Sequence, residues 1–405
     1  MMADKKAKSR RLAGALAVKK AWQAPGVVAT ERARISKGPR RPFLLTDGDG
    51  EPRKATGHGR RRSPWYAFTM RDGVCLAPMM TLVTRHNDIV RETVRSSKAL
   101  VGALRFAKHQ PDVLKAIQDG GVISGKLPPT GRHVGDVFVL TSAPLAYFHW
   151  LLEALPNVGL WRDLGCPGRL MVPTLTARWQ WDSLAFVGVR EDELLQVEKH
   201  VAITGEITFA GRINPSEDKL ASLILPFFRE LGAAARNDGP GRIFVSRSRA
   251  KRRHLLNEAE VVDRLAAAFG FECVNAETLT FADQVRLFAN AEIIVGTHGA
   301  GLANAVFAPP GAIVVELRER TLRPEGVSAF AALAGLFDQP YGLVLGPAAG
   351  EWREDHRARD FTVSADAVVR MIEVLLERSA EADALAGGTH LMPPARSPAG
   401  ATTSP

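Results

Sequence analysis

The stretch IIVGTHGAGLANAVFAPPGAIVVE, residues 293–316, decides the fold of this chain. It predicts a buried strand, a glycine-rich turn, the start of a helix, a Pro-Pro-Gly stop and a second buried strand. Glycine lets backbone N–H groups approach a ligand closely, and the N-terminus of a helix carries partial positive charge. The stretch therefore predicts an open α/β sheet whose turn suits a phosphate or diphosphate, and hence a nucleotide-bearing ligand.

The same alternation of strands and helices extends on both sides of that stretch. We predict strands at 242–246, 271–274, 293–295 and 313–316, and helices at 258–269, 281–289 and 365–378. Asn257 and Glu260 have the spacing of a capping box, and Thr280 is the predicted N-cap of the next helix. This βαβαβ pattern with short connections predicts a parallel sheet with right-handed crossovers.

The first half of the chain has a looser pattern. We predict strands at 137–141, 170–172 and near 194–197, and a helix at 147–160 that Pro156 bends or ends. The breaker cluster NDGPG at 237–241 is the best domain boundary. We expect a basic, disordered tail at 1–62, an N-terminal domain at 63–235, a C-terminal domain at 236–380 and a second disordered tail at 381–405.

The positive charge of the chain is concentrated in the first of these tails. Residues 1–62 contain 17 Lys and Arg against 5 Asp and Glu, whereas the remaining residues contain 36 against 38. Such a tail can contact an anionic membrane or an acidic partner, although solvation without a partner is the simpler reading. Because the folded body is nearly neutral, we expect no nucleic acid partner.

Targeting signals and cysteine pairs are not evident in the sequence. No apolar run approaches the roughly 18 residues of a membrane span, and no clean signal peptide follows the basic N-terminus. The three cysteines, at 75, 166 and 273, are far apart and form no CxxC pair. We therefore expect a cytoplasmic protein without a zinc site or disulfide framework.

Two loops carry the groups that favour an anionic ligand. The segment SRSRAKRRH, residues 246–254, follows a predicted strand and holds five cations, including Arg247, Arg252 and Arg253. Open α/β sheets bind ligands at that end of their strands, and arginine suits bidentate phosphate contacts. In the second loop, THGAGLAN, His298 can donate to a phosphate oxygen and Asn304 can brace the turn. A solvated basic loop and a turn used only for packing are the alternatives.

Three carboxylate features complete the set of candidates. Glu316, at the end of the strand AIVVE, can accept both hydroxyls of a ribose or form a strand-end salt bridge. His149 and Glu153 share a helical face at i, i+4 spacing, which suits a general base or a satisfied buried pair. Asp47-Gly48-Asp49 is a DxD motif in the basic tail, and we do not expect it to bind metal.

Several blocks together resemble glycosyltransferase family 61, the DUF563-type group. They are FHWLLEALPN from residue 148, SRSRAKRRHLLNEAEV from residue 246, GFE at 270–272, and LTFADQVRLFANAEIIVGTHGAGLANAVFAPPGAIVVEL from residue 279. The resemblance covers roughly residues 140–345. It implies a GT-B fold, in which two Rossmann-like domains with parallel sheets face a cleft. It also implies an inverting transferase that moves a sugar from a nucleotide sugar, commonly a UDP-sugar, to an acceptor hydroxyl.

The resemblance assigns roles to residues of this chain. The implied donor-binding residues are Arg247, Arg252, Arg253, Asn257, His298, Gly299, Ala300, Gly301, Asn304 and Glu316. Asn257 is first a capping residue and only secondarily a donor contact. The acceptor hydroxyl would be deprotonated by Glu153 or His149, with Glu153 slightly preferred. No metal and no cofactor is expected beyond the nucleotide sugar, because fixed cations and a helix N-terminus can stabilise the leaving diphosphate.

The family context sets the expected biology. A member without a membrane anchor suggests a bacterial enzyme of surface polysaccharide synthesis that acts on a glycan acceptor. Its expected location is the cytoplasm, including a peripheral position at the inner membrane. The alternative is a catalytically inactive nucleotide- or glycan-binding module of the same fold. A nicotinamide oxidoreductase is disfavoured because GAGLAN is not the GxGxxG fingerprint and follows a late strand.

Overall fold

The structure, a computed structural model, describes residues 13–20, 23–34, 42–47, 50–56, 64–94, 121–126, 132–141, 146–210, 224–320, 329–349 and 359–386. The chain divides into two compact units. Unit 1 comprises Met1–Pro39, Gly59–Ala234 and Leu279–Val285, and unit 2 comprises Arg40–His58, Ala235–Thr278 and Arg286–Pro405. The division after Ala234 lies next to the boundary that we predict at 235/236.

Eighteen strands lie in the described residues. They are β1 Ala13–Lys19, β2 Val28–Arg34, β3 Pro42–Asp47, β4 Arg53–Thr56, β5 Pro64–Leu76, β6 Thr81–Thr84, β7 Asp88–Val90, β8 Gly121–Lys126, β9 Arg132–Val134, β10 Val137–Val139, β11 Arg169–Pro173, β12 Leu194–Val197, β13 Val201–Ala210, β14 Arg242–Val245, β15 Glu272–Val274, β16 Ile293–Thr297, β17 Ile313–Glu319 and β18 Tyr341–Gly346. The strands predicted between residues 137 and 316 are confirmed, with shifts of a few residues at their ends.

Eight α-helices accompany these strands in the same part of the chain. They are α1 Tyr147–His149, α2 Pro156–Asp163, α3 Arg178–Phe186, α4 Ile224–Ala235, α5 Glu258–Phe269, α6 Phe281–Asn290, α7 Ala329–Leu336 and α8 Ala365–Ala386. A π-helical turn occupies Trp150–Ala154, and 3₁₀-helices occupy Arg91–Thr93, Glu191–Glu193, Ala276–Thr278 and Ala300–Phe307. No described helix combines the length and the apolar content needed to cross a membrane.

The sheet of unit 2 is parallel, as the sequence predicts. Its strand order is β15-β14-β16-β17-β18-β3-β4. All neighbours from β15 to β3 run parallel, and β4 pairs antiparallel with β3. Both central strands, β16 and β17, are buried along their whole length, as expected for parallel strands that are covered on both faces.

The hydrophobic core of unit 2 fixes the position of the loops that follow its strands. Apolar side chains of β14, β16 and β17 form one cluster with α5 and α8, the latter contributing Val368 and Ile372. Because the strands are parallel and in register, Val245, Thr297 and Glu319 end at the same edge of the sheet. The basic loop after β14 and the glycine-rich turn after β16 therefore emerge side by side.

The sheet of unit 1 is mixed, which corrects the expectation of a parallel sheet there. Its main strand order is β12-β11-β10-β13-β5-β6-β7-β1-β8, with β2 paired to β5 and β9 to β13. The strands from β12 to β13 are parallel, whereas β13, β5, β6 and β7 pair antiparallel in turn. Short turns join β5 to β6 and β6 to β7, and such hairpin connections allow only antiparallel pairing.

The N-terminal tail contains strands, in contrast to the disorder predicted for residues 1–62. Strands β1 and β2 join the sheet of unit 1, and β3 and β4 extend the sheet of unit 2. In β3, Leu44, Leu45 and Thr46 are buried. The high charge of the tail hides this short apolar run, and an open edge at β18 provides a partner for it. Composition over 62 residues is too coarse to detect a strand of six.

The C-terminal boundary also differs from the prediction. Helix α8 runs to Ala386 rather than 378, so it passes the predicted start of the second tail at 381. The face of α8 that carries Val368, Met371 and Leu375 is buried. Residues 387–405 of the predicted tail lie outside the described residues.

Candidate functional site

The basic loop after β14 is anchored by the carboxylate of Glu258 at the start of α5. The Ser246 hydroxyl donates to Glu258 Oε1 at 2.6 Å, and the Arg247 backbone N–H donates to Oε2 at 3.3 Å. The Ala250 N–H then donates to the Arg247 carbonyl at 2.9 Å and closes a turn. Two hydrogen bonds to one charged group therefore fix the point at which Arg247 leaves the sheet.

The side chain of Arg247 lies against Gly299, which brings the two predicted anion-binding loops together. A Cβ atom at position 299 would stand 1.7 Å from Arg247 Nη1 and 2.6 Å from Cζ. Arg247 Nη2 donates to the Arg252 carbonyl at 3.3 Å, while the buried Nε has no hydrogen-bond partner in the described part of the chain. A side chain at position 299 would therefore displace the guanidinium from this place.

The surroundings of Arg247 disfavour its charge. Burial lowers the pKa of the Arg247 guanidinium, Glu277 opposes this effect, and the neighbouring cation Arg252 lowers the pKa further. Burial acts by removing water from the charged form. An anion bound here would restore favourable interactions to a cation that is partly desolvated.

The second loop presents His298 through a buried carboxylate. His298 Nδ1 lies 2.5 Å from Glu316 Oε1, and the Tyr341 hydroxyl donates to Glu316 Oε2. Glu316 is fully buried, whereas 28% of the His298 side chain is exposed. The edge-on ring of Phe330 packs on His298 at a centroid distance of 5.4 Å. With Nδ1 held by Glu316, the second ring nitrogen, Nε2, is the one left for a ligand.

This geometry changes the role expected for Glu316. The sequence suggests contacts to both hydroxyls of a ribose or a strand-end salt bridge. In the structure, one carboxylate oxygen binds an imidazole and the other binds a phenol, at zero exposure. Glu316 therefore positions His298, and its carboxylate is not at the surface to meet a ribose.

The glycine-rich turn leads into a 3₁₀-helix, Ala300–Phe307, rather than an α-helix. The Leu302 N–H donates to the Gly299 carbonyl at 3.1 Å, which begins the helix. The first N–H groups of a helix have no acceptor within it, so Ala300 and Gly301 carry the donors of this turn. Asn304, in this 3₁₀-helix, is fully buried.

The remaining donor-side candidates differ in their surroundings. The side chain of Arg252 is exposed, and Arg253 is half-buried with a φ of 60°. Asn257 Nδ2 donates to the Val363 carbonyl at 2.8 Å and to Glu260 Oε2 at 3.0 Å, and its Oδ1 accepts from the Val363 N–H. The predicted cap hydrogen bond of Asn257 is not formed. The amide of Asn257 instead joins the backbone at Val363 to the side chain of Glu260 in the first turn of α5.

In unit 1 a second histidine–carboxylate pair has nearly the same form. His149 Nδ1 contacts Glu153 Oε1, with Glu153 fully buried and 36% of the His149 side chain exposed. We expect from the sequence that Glu153 is the better candidate base. The structure favours the reverse order, because the imidazole is the exposed member and the carboxylate lies behind it.

A π-helical turn positions this pair. The Leu155 N–H donates to the Trp150 carbonyl at 2.9 Å, the i to i−5 bond of a π-helix. Pro156 then begins α2 at a position where a missing N–H is tolerated, so the helix predicted at 147–160 is divided into α1, the π-helical turn and α2. Asn157 Nδ2 donates to the Glu153 carbonyl at 2.7 Å. Single π-helical turns are frequent at functional sites.

Sequence reasoning did not identify three groups that support the site. Tyr341 and Phe330 contact the His298–Glu316 pair from a strand and a helix that follow it in the chain. His254 ties the basic loop to Asp360, whose Oδ1 accepts from the His254 backbone N–H at 2.7 Å and lies 3.1 Å from its Nδ1. His254 and Asp360 lie a few residues before the predicted helices at 258–269 and 365–378, whereas no predicted element lies near Tyr341 or Phe330.

A metal site is not evident among the described residues. They contain no group of three or more His, Cys, Asp or Glu side chains that could hold a metal ion. Of the DxD motif, Asp47 is the last residue of β3, whereas Gly48 and Asp49 lie outside the described residues.

The fold and the two loops are those of an α/β protein that can bind an anion at the carboxyl ends of parallel strands. Comparison with known families gives a more specific assignment. Residues 147–315 match the family described as Glycosyltransferase 61. Over this segment, which is less than half of the chain and holds both histidine–carboxylate pairs apart from Glu316, the chain is similar to that family. The resemblance seen in the sequence is therefore confirmed.

Individual relatives match over a shorter segment. The chain is 44% identical over 91 residues to protein O-linked-mannose beta-1,4-N-acetylglucosaminyltransferase 2 of Mus musculus, and 43% identical to the Homo sapiens protein of the same name. The Xenopus laevis protein of that name is 40% identical over the same length. These matches cover 22% of this chain and 16% of each relative. The chain thus spans about a sixth of the length of these relatives.

Proposed function

We propose that this protein transfers a sugar from a nucleotide sugar to a hydroxyl group of a glycan acceptor, with inversion at the anomeric carbon. The family match supports glycosyl transfer. The observation that carries the proposal is the contact between Arg247 and Gly299, beside His298, at the carboxyl edge of the parallel sheet. Two loops that each suit a phosphate converge there. UDP-sugars are the donor class to test first.

The chemistry of the proposed donor site follows from charge. As the glycosidic bond breaks, negative charge grows on the leaving nucleoside diphosphate. Arg247, the backbone N–H groups of residues 299–301 and a protonated His298 would stabilise that charge, with Arg252 and Arg253 at the periphery. In this proposal no metal is needed, because fixed cations and the helix N-terminus supply the positive charge.

The acceptor chemistry is assigned to unit 1. We propose that His149 Nε2 removes the proton from the attacking hydroxyl, while Glu153 orients the imidazole and stabilises its protonated form. A single displacement of this kind inverts the anomeric centre. The proposal includes the GT-B architecture implied by the resemblance, with donor chemistry in one domain and acceptor chemistry in the other.

The sugar and the acceptor belong to the same proposal. The names of the relatives make N-acetylglucosamine the first sugar to test. The acceptor that we propose is a bacterial surface polysaccharide or its precursor, in the cytoplasm or at the inner membrane. The basic residues within 1–62 support contact with an anionic membrane or an acidic partner. The relatives named above are animal proteins and do not bear on this point.

A thermal-shift panel of nucleotides and nucleotide sugars tests the donor site. A ligand that binds only the native state raises the unfolding midpoint by mass action. We expect one nucleotide family to stabilise the wild type, and Arg247→Ala and His298→Ala to lose that effect. Arg264→Ala is the matched control, since it removes an exposed cation of unit 2. No shift with any nucleotide at millimolar concentration would contradict the proposal.

A transfer assay separates an active enzyme from the alternative, an inactive binding module of the same fold. The stabilising nucleotide sugar is incubated with a panel of glycan acceptors, and release of the nucleoside diphosphate is measured. We expect release that depends on both the acceptor and His149. Binding without release for any acceptor in the panel would favour the binding module.

A further inference from the structure

Arg318, near the end of β17, is a buried cation that the proposed function does not yet use. It is 6% exposed, and its Nε and Nη2 atoms are buried without a hydrogen-bond partner in the described stretches of the chain. Arg359, another buried arginine nearby, has a charged partner. Arg359 Nη2 lies 3.0 Å from Glu319 Oε1, and both side chains are almost fully buried.

An unpaired buried guanidinium is unfavourable for the folded protein. Its charge has lost water, and neither nitrogen gains a hydrogen bond in return. Buried polar groups in folded proteins are nearly always paired, so an exception needs an explanation, and a partner that binds from outside is one. A bound ligand with acceptor oxygens is such a partner.

The position of Arg318 identifies the side from which the partner comes. In a strand, residues two apart lie on the same face, so Arg318 shares a face of β17 with Glu316 and lies one step nearer the carboxyl edge. The His298 N–H donates to the Leu317 carbonyl at 2.8 Å, so His298 continues β16 alongside this part of β17. Arg318 therefore lies beside the His298–Glu316 pair, at the edge where open α/β sheets bind ligands.

The carboxylate on the same face of β17 as Arg318 is not available to neutralise it. Both oxygens of Glu316 are engaged, one by His298 Nδ1 and one by the Tyr341 hydroxyl. Glu319, the next acidic residue of the strand, pairs with Arg359 on the opposite face. The acceptor that completes Arg318 must therefore be an oxyanion from outside the strand, and a guanidinium favours planar or tetrahedral oxyanions that accept two hydrogen bonds.

We propose that Arg318 binds an oxyanion of the sugar donor, so that the donor is held by cations on two neighbouring strands, at Arg247 after β14 and at Arg318 on β17. This inference rests on the proposed nucleotide-sugar function. The oxyanion is either the distal phosphate of the nucleoside diphosphate or the carboxylate of an acidic sugar attached to it. The two sources share the same chemistry and differ in which ligands depend on Arg318.

Isothermal titration calorimetry on the wild type, Arg318→Gln and Arg318→Lys tests the inference. The ligands are the nucleoside mono- and diphosphate of the preferred base, its N-acetylglucosamine sugar and its glucuronic acid sugar. If Arg318 binds the distal phosphate, Arg318→Gln lowers the affinity for the diphosphate and for both nucleotide sugars at least tenfold, and the affinity for the monophosphate less than threefold. If Arg318 binds a carboxylate, only the affinity for the glucuronic acid donor falls at least tenfold. Arg318→Lys, which keeps the charge, recovers part of the loss in either case.

Thermal unfolding of ligand-free Arg318→Met gives an independent readout. Removing an unpaired buried charge with an apolar side chain of similar length should keep or raise the unfolding midpoint. A lower midpoint together with unchanged affinities in Arg318→Gln would show a purely structural role and overturn the inference. Unchanged affinities for all four ligands overturn it on their own. If the wild type binds no nucleotide, the proposed function fails first, and the inference fails with it.

Discussion

The two units of this protein each carry a histidine whose Nδ1 contacts a fully buried glutamate. His149 with Glu153 lies on one helical segment, whereas His298 with Glu316 joins two neighbouring strands. In both, about a third of the imidazole is exposed. The pairs are alike in local chemistry, so their different expected roles must come from what surrounds them.

The surroundings of the two imidazoles differ in charge. Near His298, the chain places the Arg247 guanidinium against the next residue, Gly299. Both imidazoles have an edge-on phenylalanine, Phe330 at 5.4 Å from His298 and Phe148 at 5.3 Å from His149. The segment of His149 adds further aromatic rings, since Tyr147 and Trp150 both contact Trp179. A cationic setting suits the binding of an anion, and an aromatic setting suits a neutral base that takes up a proton. The same pair can therefore serve two tasks in one molecule.

The largest effect is expected from His149→Ala. Loss of a general base lowers rates by about 10²- to 10⁴-fold, so the transfer rate should fall in that range while nucleotide affinity stays unchanged. The measurement is kcat for release of the nucleoside diphosphate, with affinity from calorimetry. Glu153→Gln should lower kcat less, because the imidazole remains. A fall in nucleotide affinity in His149→Ala would break the distinction between the pairs.

The mirror-image substitution, His298→Ala, should act on binding. A hydrogen bond to a charged group contributes about 1.5–3 kcal/mol, which corresponds to roughly a 10- to 150-fold weaker Kd for the nucleoside diphosphate. Calorimetry with the nucleoside diphosphate measures this loss directly. If His298→Ala instead lowered kcat at unchanged Kd, then His298 rather than His149 would be the better candidate for the base.

The fold of unit 2 could be predicted from sequence because its signals are local. Residues 293–316 alternate apolar strands with glycine and proline stops, and their neighbours follow the same pattern. Unit 1 was less predictable, since the antiparallel part of its sheet depends on pairings between distant segments such as β13 and β5. Charge composition over the tail concealed β3, whose partner β18 lies almost 300 residues later.

The residues of the candidate site could be predicted from the sequence, but the contacts between them could not. Motif spacing identifies His298 and Glu316 as separate candidates, yet their contact arises from the register between β16 and β17. The same register buries Glu316 and so excludes the ribose contact. Tyr341, which donates to Glu316, lies 25 residues after it on β18, with no motif around it. In the sequence, Arg318 does not differ from the other charged residues of the segment LRER, residues 317–320. Its burial in the structure distinguishes it.

Gly299→Ala tests the comparison between the two pairs, because it disturbs only the surroundings of His298, where Arg247 lies. The added methyl would stand 1.7 Å from Arg247 Nη1, so the flexible guanidinium must move away. We expect about a tenfold weaker nucleotide Kd, a small change in the unfolding midpoint, and no change in the His149-dependent step. Gly335→Ala in α7 is the matched control, because its methyl meets nothing within 4 Å. Equal affinities in the two variants would show that the contact between Arg247 and Gly299 does not contribute to binding.

The smallest effect is expected from His254→Gln, which tests how far the cationic setting depends on its anchors. His254 Nε2 lies 2.6 Å from the Ala250 carbonyl, and Nδ1 lies 3.1 Å from Asp360, so the ring spans the basic loop and the segment before α8. Half-exposed ion pairs contribute up to about 1 kcal/mol, which limits the loss of nucleotide affinity to about fivefold. Calorimetry on His254→Gln and on His298→Ala measures both losses of nucleotide affinity on one scale. A loss as large as that of His298→Ala would mean that the order of the whole loop, rather than the histidine–carboxylate pair, sets the affinity of unit 2.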